Sequence, residues 1–158
     1  MNKKIPHDIP VDFLRLQTIL ILASYEKWFD TPLVPPGRDL QETMDRLFFA
    51  PFAVVSSNAA KDPLLNYGNE KALKLWELPW KTLTRTPGSQ TAEPMHREER
   101  QKFLDTVQKD GFINNYSGIR ISSTGQRFKI RQAQVWNLVD ASGKFYGQAA
   151  TFSDWEFL

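Results

Sequence analysis

The stretch FINNYSGIRISSTGQRFKIRQAQVWNLVDASGKFYGQAATF, residues 112–152, decides how this chain folds. Its period-two patterning breaks twice, at Ser123-Thr124-Gly125 and at Asp140-Ala141-Ser142-Gly143. Small, turn-forming residues at such breaks read as hairpin connections, so the stretch predicts three consecutive antiparallel strands. Ahead of it come helices, a strand and shorter helices. That order predicts an α+β arrangement rather than a βαβ nucleotide binder.

Immediately upstream, TAEPMHREERQKFLDTVQKDG predicts a helix with Phe103, Leu104 and Val107 inward and Gly111 as its stop. KTLTRTPGSQ reads as loop with at most one turn. In DPLLNYGNEKALKLWELPW a short strand from Leu64 to Tyr67 turns at Gly68 into a helix capped by Asn69 and ended by Pro79. Phe52 to Ser56 reads as a short buried strand after Pro51. A helix carrying Leu40, Met44, Leu47 and Phe48 on one stripe begins at the capping residue Asp39, behind the proline-rich loop DTPLVPPGRD. The first helix runs from Val11 to about Phe29 with Leu14, Leu16, Ile19, Leu20, Leu22 and Ala23 at helical spacing. Its apolar coverage is wide. Either a second face meets another copy of the chain, giving a homodimer, or the helix is buried on two sides within one subunit.

A chain of 158 residues is about one domain with one core. Lys and Arg total 20 against 18 acidic residues, and a net charge of +2 does not point to wholesale capture of nucleic acid. With no cysteine there are no disulfides, thiolate nucleophiles or Cys-ligated metals. The first helix is interrupted by Asp12, Arg15 and Gln17, unlike the core of an export signal, and the run Ile19 to Ala23 falls far short of the roughly 20 apolar residues that span a bilayer. The expectation is a cytoplasmic protein with no membrane partner. The 11 Phe, 5 Trp and 4 Tyr serve a core or a ligand cavity equally well.

The segments APFAVVSSN, DPLLNYGNEKALKLWE, TAEPMHREER, GFINNYSGIRISSTGQRFKI and VWNLVDASGKFYGQAATF, in this order, resemble the MEKHLA family. This is a PAS-like domain found alone in bacteria and at the C-terminus of plant class III homeodomain–leucine zipper transcription factors. The similarity runs from about Leu22 to Leu158. The resemblance implies an α+β fold with a PAS-like five-stranded antiparallel sheet, short covering helices and an N-terminal helical extension. Residues 1–50 would be that extension, packed on the core, and 51–158 the PAS-like domain, in a single folding unit. The helices at Asn69 and Met95 would roof a cavity. The family resemblance implies sensing or regulation with no named ligand.

Candidate chemistry is sparse. The only histidines are His7 and His96, and no GxSxG elbow accompanies them, so no catalytic triad is read. His96 lies where haem-binding PAS domains place an axial ligand; among Arg97, Glu98, Glu99 and Arg100 it reads otherwise as a solvated side chain. The missing cysteine removes thiol-adduct flavin photochemistry, while a non-covalently held flavin stays open. Strict alternation would place Phe128, Ile130, Gln132, Gln134 and Trp136 on one face of a strand and the basic Arg127, Lys129 and Arg131, with Arg120 nearby, on the other. Either a bulge near Gln132 flips the register, or the first face mixes amides and rings as a pocket would. The basic face meets an anion, nucleic acid or only solvent. Gln148, sharing a face with Tyr146, Ala150 and Phe152, is a ligand contact or part of an internal network. Asn66 and Tyr67 would stand at the mouth of that cavity or serve only the turn there, Glu93, Arg97 and Arg100 would bind a polar head group or lie exposed, and Trp76 and Trp136 either fill the core or stack on a flat ligand.

The ligand-binding set is therefore Asn66, Tyr67, Trp76, Phe128, Gln132, Gln134, Trp136 and Gln148, with no catalytic or metal-ligating residue assigned and the cofactor left open. The function read from the sequence is a non-enzymatic sensory or regulatory domain for a small apolar or aromatic ligand, signalling through a separate partner chain. The alternatives are a small enzyme of the cone-shaped NTF2-like type, for which the apolar side of the meander lacks an acid/base pair, and a purely structural dimerisation module.

Overall fold

Pro10 and Asp39 open the first two elements of the structure, a computed structural model that describes residues 3–158. Helix α1, Val11–Phe29, stops where Asp30 turns left-handed at φ 57°. Helix α2, Leu40–Phe48, starts from Asp39, whose carboxylate accepts the Glu42 amide at 2.9 Å. Strands β1, Ala53–Ser57, and β2, Leu65–Gly68, lie one residue later than their patterning predicts. Asn69 caps α3, Glu70–Trp76. Within the predicted loop sits a short helix α4, Trp80–Leu83, and a 3-10 turn, Gly88–Thr91. Helix α5, Pro94–Asp110, ends on Gly111 at φ 101°. The meander follows as β3, Phe112–Ile121, β4, Arg127–Val139, and β5, Phe145–Phe152, and the short β6, Asp154–Phe157, was not anticipated.

All strand pairings are antiparallel, in the order β2-β1-β5-β4-β3. β1 lies beside β5 from Ala53 opposite Phe152 to Ser57 opposite Gln148. Strands β5 and β6 share one edge of β4: β5 pairs with Gln134 to Val139 and β6 with Phe128 to Arg131. The division falls at a bulge. Tyr116 is opposite Ala133 and Gly118 opposite Ile130, so Ser117 faces both Arg131 and Gln132, and Gln132 takes φ 52°. A second irregularity sits on the facing strand at Asn115, φ 61°.

This extra residue is the register flip that the sequence left open, and it gives the sheet two differently covered faces. Before it, Phe128 and Ile130, and after it Ala133, join Trp76, Leu75 and Phe152 in one core cluster beneath α3. Trp136 and Leu138 belong instead to the cluster built on α1 and α2, with Tyr25, Ile21, Leu47 and Phe48. Helices thus cover both faces of one sheet, each burying an apolar stripe.

The β4–β5 turn is tied by Asp140, whose Oδ1 accepts the Ser142 hydroxyl at 2.7 Å, the Ser142 amide at 2.9 Å and the Lys144 amide at 3.0 Å. The Ser142 hydroxyl, and then the Lys144 amide, hold this carboxyl down to about 2. An unfolded Asp titrates near 3.9, so the turn's contribution is present above about pH 4 and is lost as pH falls toward 2. In acid unfolding followed by circular dichroism, the stability gap between wild type and Asp140→Asn should therefore close across that window. A gap that stays constant from pH 5 to 2 would contradict the assignment.

Candidate functional site

The connection from Ser57 to Pro63, the flank of α5 and the start of β5 enclose a cleft of about 320 Å³. Its wall is largely polar, with Asn58, Asp62, Ser89, Gln101, Asp105 and Gln108, and Leu104 and Phe145 supply apolar surface. Gln148 lines it from the sheet. Its amide donates to the Leu104 carbonyl at 3.0 Å and to Asn137 Oδ1 at 3.3 Å, while its Oε1 accepts no hydrogen bond among the described residues. Asn137 extends this network in both directions. Its Nδ2 donates to the Gln108 carbonyl on α5 at 3.0 Å, and its own carbonyl accepts Trp28 Nε1 from α1 at 2.9 Å. Ser24 completes the α1 contact, exchanging hydrogen bonds with the backbone of Val139 at 2.9 and 3.0 Å.

The eight sequence-predicted residues do not converge here. Gln148 alone is on the wall of the cleft. Trp76 and Phe128 sit edge-on, ring centres 5.3 Å apart, with Phe152 6.0 Å from Trp76, so these rings occupy the sheet face beneath α3. Trp136 and Gln134 point to the opposite face: Trp136 meets Tyr25 at 5.0 Å, and the Tyr25 hydroxyl donates to Gln134 Oε1 at 2.7 Å. Tyr67 is wholly buried in the same cluster as α1, edge-on to Trp80, and burial pushes its phenol far up. Asn66 accepts the Ser56 hydroxyl at 2.6 Å within a small network that includes Gln17 of α1. Gln132 is exposed at the bulge. A one-residue insertion reverses every following side chain, which is why a set chosen by strict alternation is split between two faces.

The basic ladder is also rearranged. Arg127 pairs with Glu93 at 2.7 Å, and Arg131 with Glu156 and Asp154. Arg120 is opposite Phe128 in the register and so shares its buried face rather than the basic one. It is 7% exposed, and neither it nor Arg100 of α5 meets a carboxylate among the described residues. Sequence reading offers each as a contact for an anionic or polar group but does not bring the two together, because they are remote along the chain. His96 is half-buried beside charged groups, Glu99, Arg100 and Arg120, rather than in the apolar cavity that a haem requires. No helix among the described residues is long and apolar enough to cross a membrane.

Comparison with known proteins bears on this arrangement. The sequence matches the family model "MEKHLA domain" over residues 16–157. Among solved structures, the PAS domain of a protein from Colwellia psychrerythraea superposes with a TM-score of 0.62 at 11% identity, covering 75% of this chain and 96% of that one. A light-oxygen-voltage domain studied with a flavin analogue gives 0.55 at 14% identity, over 74% of this chain and 84% of that one. An RNA-binding light-oxygen-voltage receptor gives 0.58 at 12% identity over 78% of this chain, which spans only 36% of the receptor. No curated protein sequence matches.

Proposed function

This chain belongs to the MEKHLA domain family, and from that premise we propose that it is a non-enzymatic sensory or regulatory domain, acting in the cytoplasm, that holds a small ligand in the cleft beneath α5. The observation that carries the reading is the network from Gln148 through Asn137 to Gln108 and Trp28, which joins the cleft to both α5 and α1. A ligand that engages Gln148 shifts the balance of that network and is felt by the N-terminal helix. The polar wall suits a ligand with hydrogen-bonding groups better than the apolar or aromatic one that the sequence suggests. Trp76, Phe128 and Phe152 fill the face against which a flat ring would lie, so the reading includes no flavin. With a PAS-like fold the NTF2-like alternative loses its scaffold. Nucleic acid is not proposed as a partner, because Arg127 and Arg131 are already engaged by carboxylates.

Native mass spectrometry of gently purified protein, with an absorbance spectrum, tests the cleft. We expect a retained small molecule in the wild type and its loss in Gln148→Leu. A bare polypeptide mass for the wild type, or an adduct unchanged in Gln148→Leu, would sink the proposal.

The proposal includes a route out through α1, with residues 1–50 and 51–158 acting as one unit. Leu16 is 70% and Ile19 49% exposed on the outer face of this helix, whereas Leu20 packs against the core. Self-association through that face predicts a dimer in sedimentation that Leu16→Glu converts to monomer. Equal masses for the two proteins would rule it out.

A further inference from the structure

Arg100 crosses above Gly88 so closely that a Cβ there would lie 2.9 Å from its Nη2. It closes one side of the cleft just described, and it also borders a second hollow, of about 260 Å³, between α5 and the edge strand β3. This hollow is walled by His96, Glu99, Arg100, Tyr116 and Arg120, and by the backbone around Gly118.

Its two arginines are drawn out of water with no carboxylate paired to them among the described residues. Arg85 and Arg97 are exposed to solvent, and Arg15, Arg38, Arg46, Arg127 and Arg131 each meet a carboxylate. Arg120 is buried and Arg100 half-buried, and neither does among the described residues. Arg120 instead donates from Nη2 to the Tyr116 hydroxyl at 3.0 Å and from Nη1 to the Ile119 carbonyl at 2.9 Å. Burial, and the nearby positive charge of Arg120, draw the Arg100 guanidinium down to about 10. Like charges brought together out of water are costly, and a fold tolerates them where something of opposite charge repays the desolvation.

Donors also accumulate around them. His96 Nε2 is buried with no partner among the described residues. The Tyr116 hydroxyl accepts from Arg120, which leaves its own proton to give. Tyr116 is held flat against Phe103, ring centres 3.7 Å apart, so the hydroxyl is fixed in place. Glu99 is exposed at the rim and pairs with neither arginine.

We propose that this hollow is an oxyanion-binding site, in which Arg100, Arg120, Tyr116 and His96 hold the phosphate or carboxylate group of a small molecule. Planar guanidinium groups match such oxygens two at a time. At roughly 30 Å³ for a water-sized group, the volume admits a small phosphate ester or organic acid as well as the free ion. The site goes beyond the cleft reading and does not depend on it, since the two hollows meet only at Arg100 and Gln148 belongs to the cleft alone.

Isothermal titration of the full chain at constant ionic strength, balanced with chloride, tests the site with two probes, inorganic phosphate and citrate. One or both should bind in one-to-one stoichiometry. Affinity should fall at least tenfold in Arg100→Gln and in Arg120→Gln and stay unchanged in Gln148→Leu and Arg131→Gln. Binding of phosphate alone identifies a phosphate source, and binding of citrate alone a carboxylate source. No heat above the chloride control for either probe, or binding that survives Arg100→Gln, overturns the proposal. Should Arg120→Gln fail to give a native near-ultraviolet spectrum, Arg100→Gln carries the same test. Because Gln148→Leu reports on the cleft alone, a failed oxyanion titration and a failed cleft experiment are told apart.

Discussion

Asn69→Ala should destabilise the protein by about 3–5 kcal/mol, as a deletion of several buried hydrogen bonds at once. The side chain is wholly buried, and its Oδ1 accepts the Ala72 amide at 3.1 Å, capping α3, and the Val54 amide at 2.9 Å. Its Nδ2 donates to the carbonyls of Phe52 at 2.8 Å and Leu47 at 3.1 Å. The end of α2, the start of β1 and the start of α3 are thus fastened by one amide, and alanine takes a partner from each of four backbone groups. Aspartate is no remedy at neutral pH, because it sets a carboxylate oxygen against the two carbonyls. Urea unfolding of wild type, Asn69→Ala and Asn69→Asp measures this, and a loss below about 1 kcal/mol in the alanine variant would contradict it. Against a total of about 5–15 kcal/mol for a small domain, the expected loss is enough to depopulate the folded state on warming.

Trp136→Ala should cost a similar amount, about 3–5 kcal/mol, for a different reason. Its ring is fully buried where α1 lies on β4, edge-on to Tyr25 at 5.0 Å and to Phe29 at 6.0 Å, and truncation opens a cavity that a helix and a sheet cannot both close. Trp136→Phe should cost far less. The indole Nε1 has no hydrogen-bond partner among the described residues, so a phenyl ring keeps most of the packing and gives up no bond. By contrast Trp28→Phe gives up the bond from Nε1 to the Asn137 carbonyl. Equal losses for the alanine and phenylalanine variants of Trp136 would mean that the ring's packing is not what holds α1 to the sheet.

The hairpin connections, the Asn69 cap and the Gly111 stop were legible because each rests on residues next to one another, where backbone preferences act directly. What escaped was set by pairing between distant residues. The bulge near Gln132 was one of two readings that alternation left open; in the structure it turns Trp136 and Gln134 away from Phe128, and nothing local marks glutamine as a left-handed position. β6, four residues long, has too little alternation to be seen and exists because β4 offers it an edge beyond the bulge. The cleft was half-legible: Gln148 stood out as an amide among apolar neighbours, but no residue pattern sets the loop from Ser57 to Pro63 against it. Arg100 and Arg120 became a pair only when α5 was laid along β3.

Ala53 lies opposite Phe152, which fixes the timing of assembly as well as the shape of the sheet. A chain emerging from the ribosome at about 5–20 residues per second delivers β1 on the order of 5–20 seconds before the segment that covers its second edge. Over that interval Val54 and its neighbours form an apolar ribbon paired only with β2, so the nascent first half is where chaperones or aggregation compete with folding.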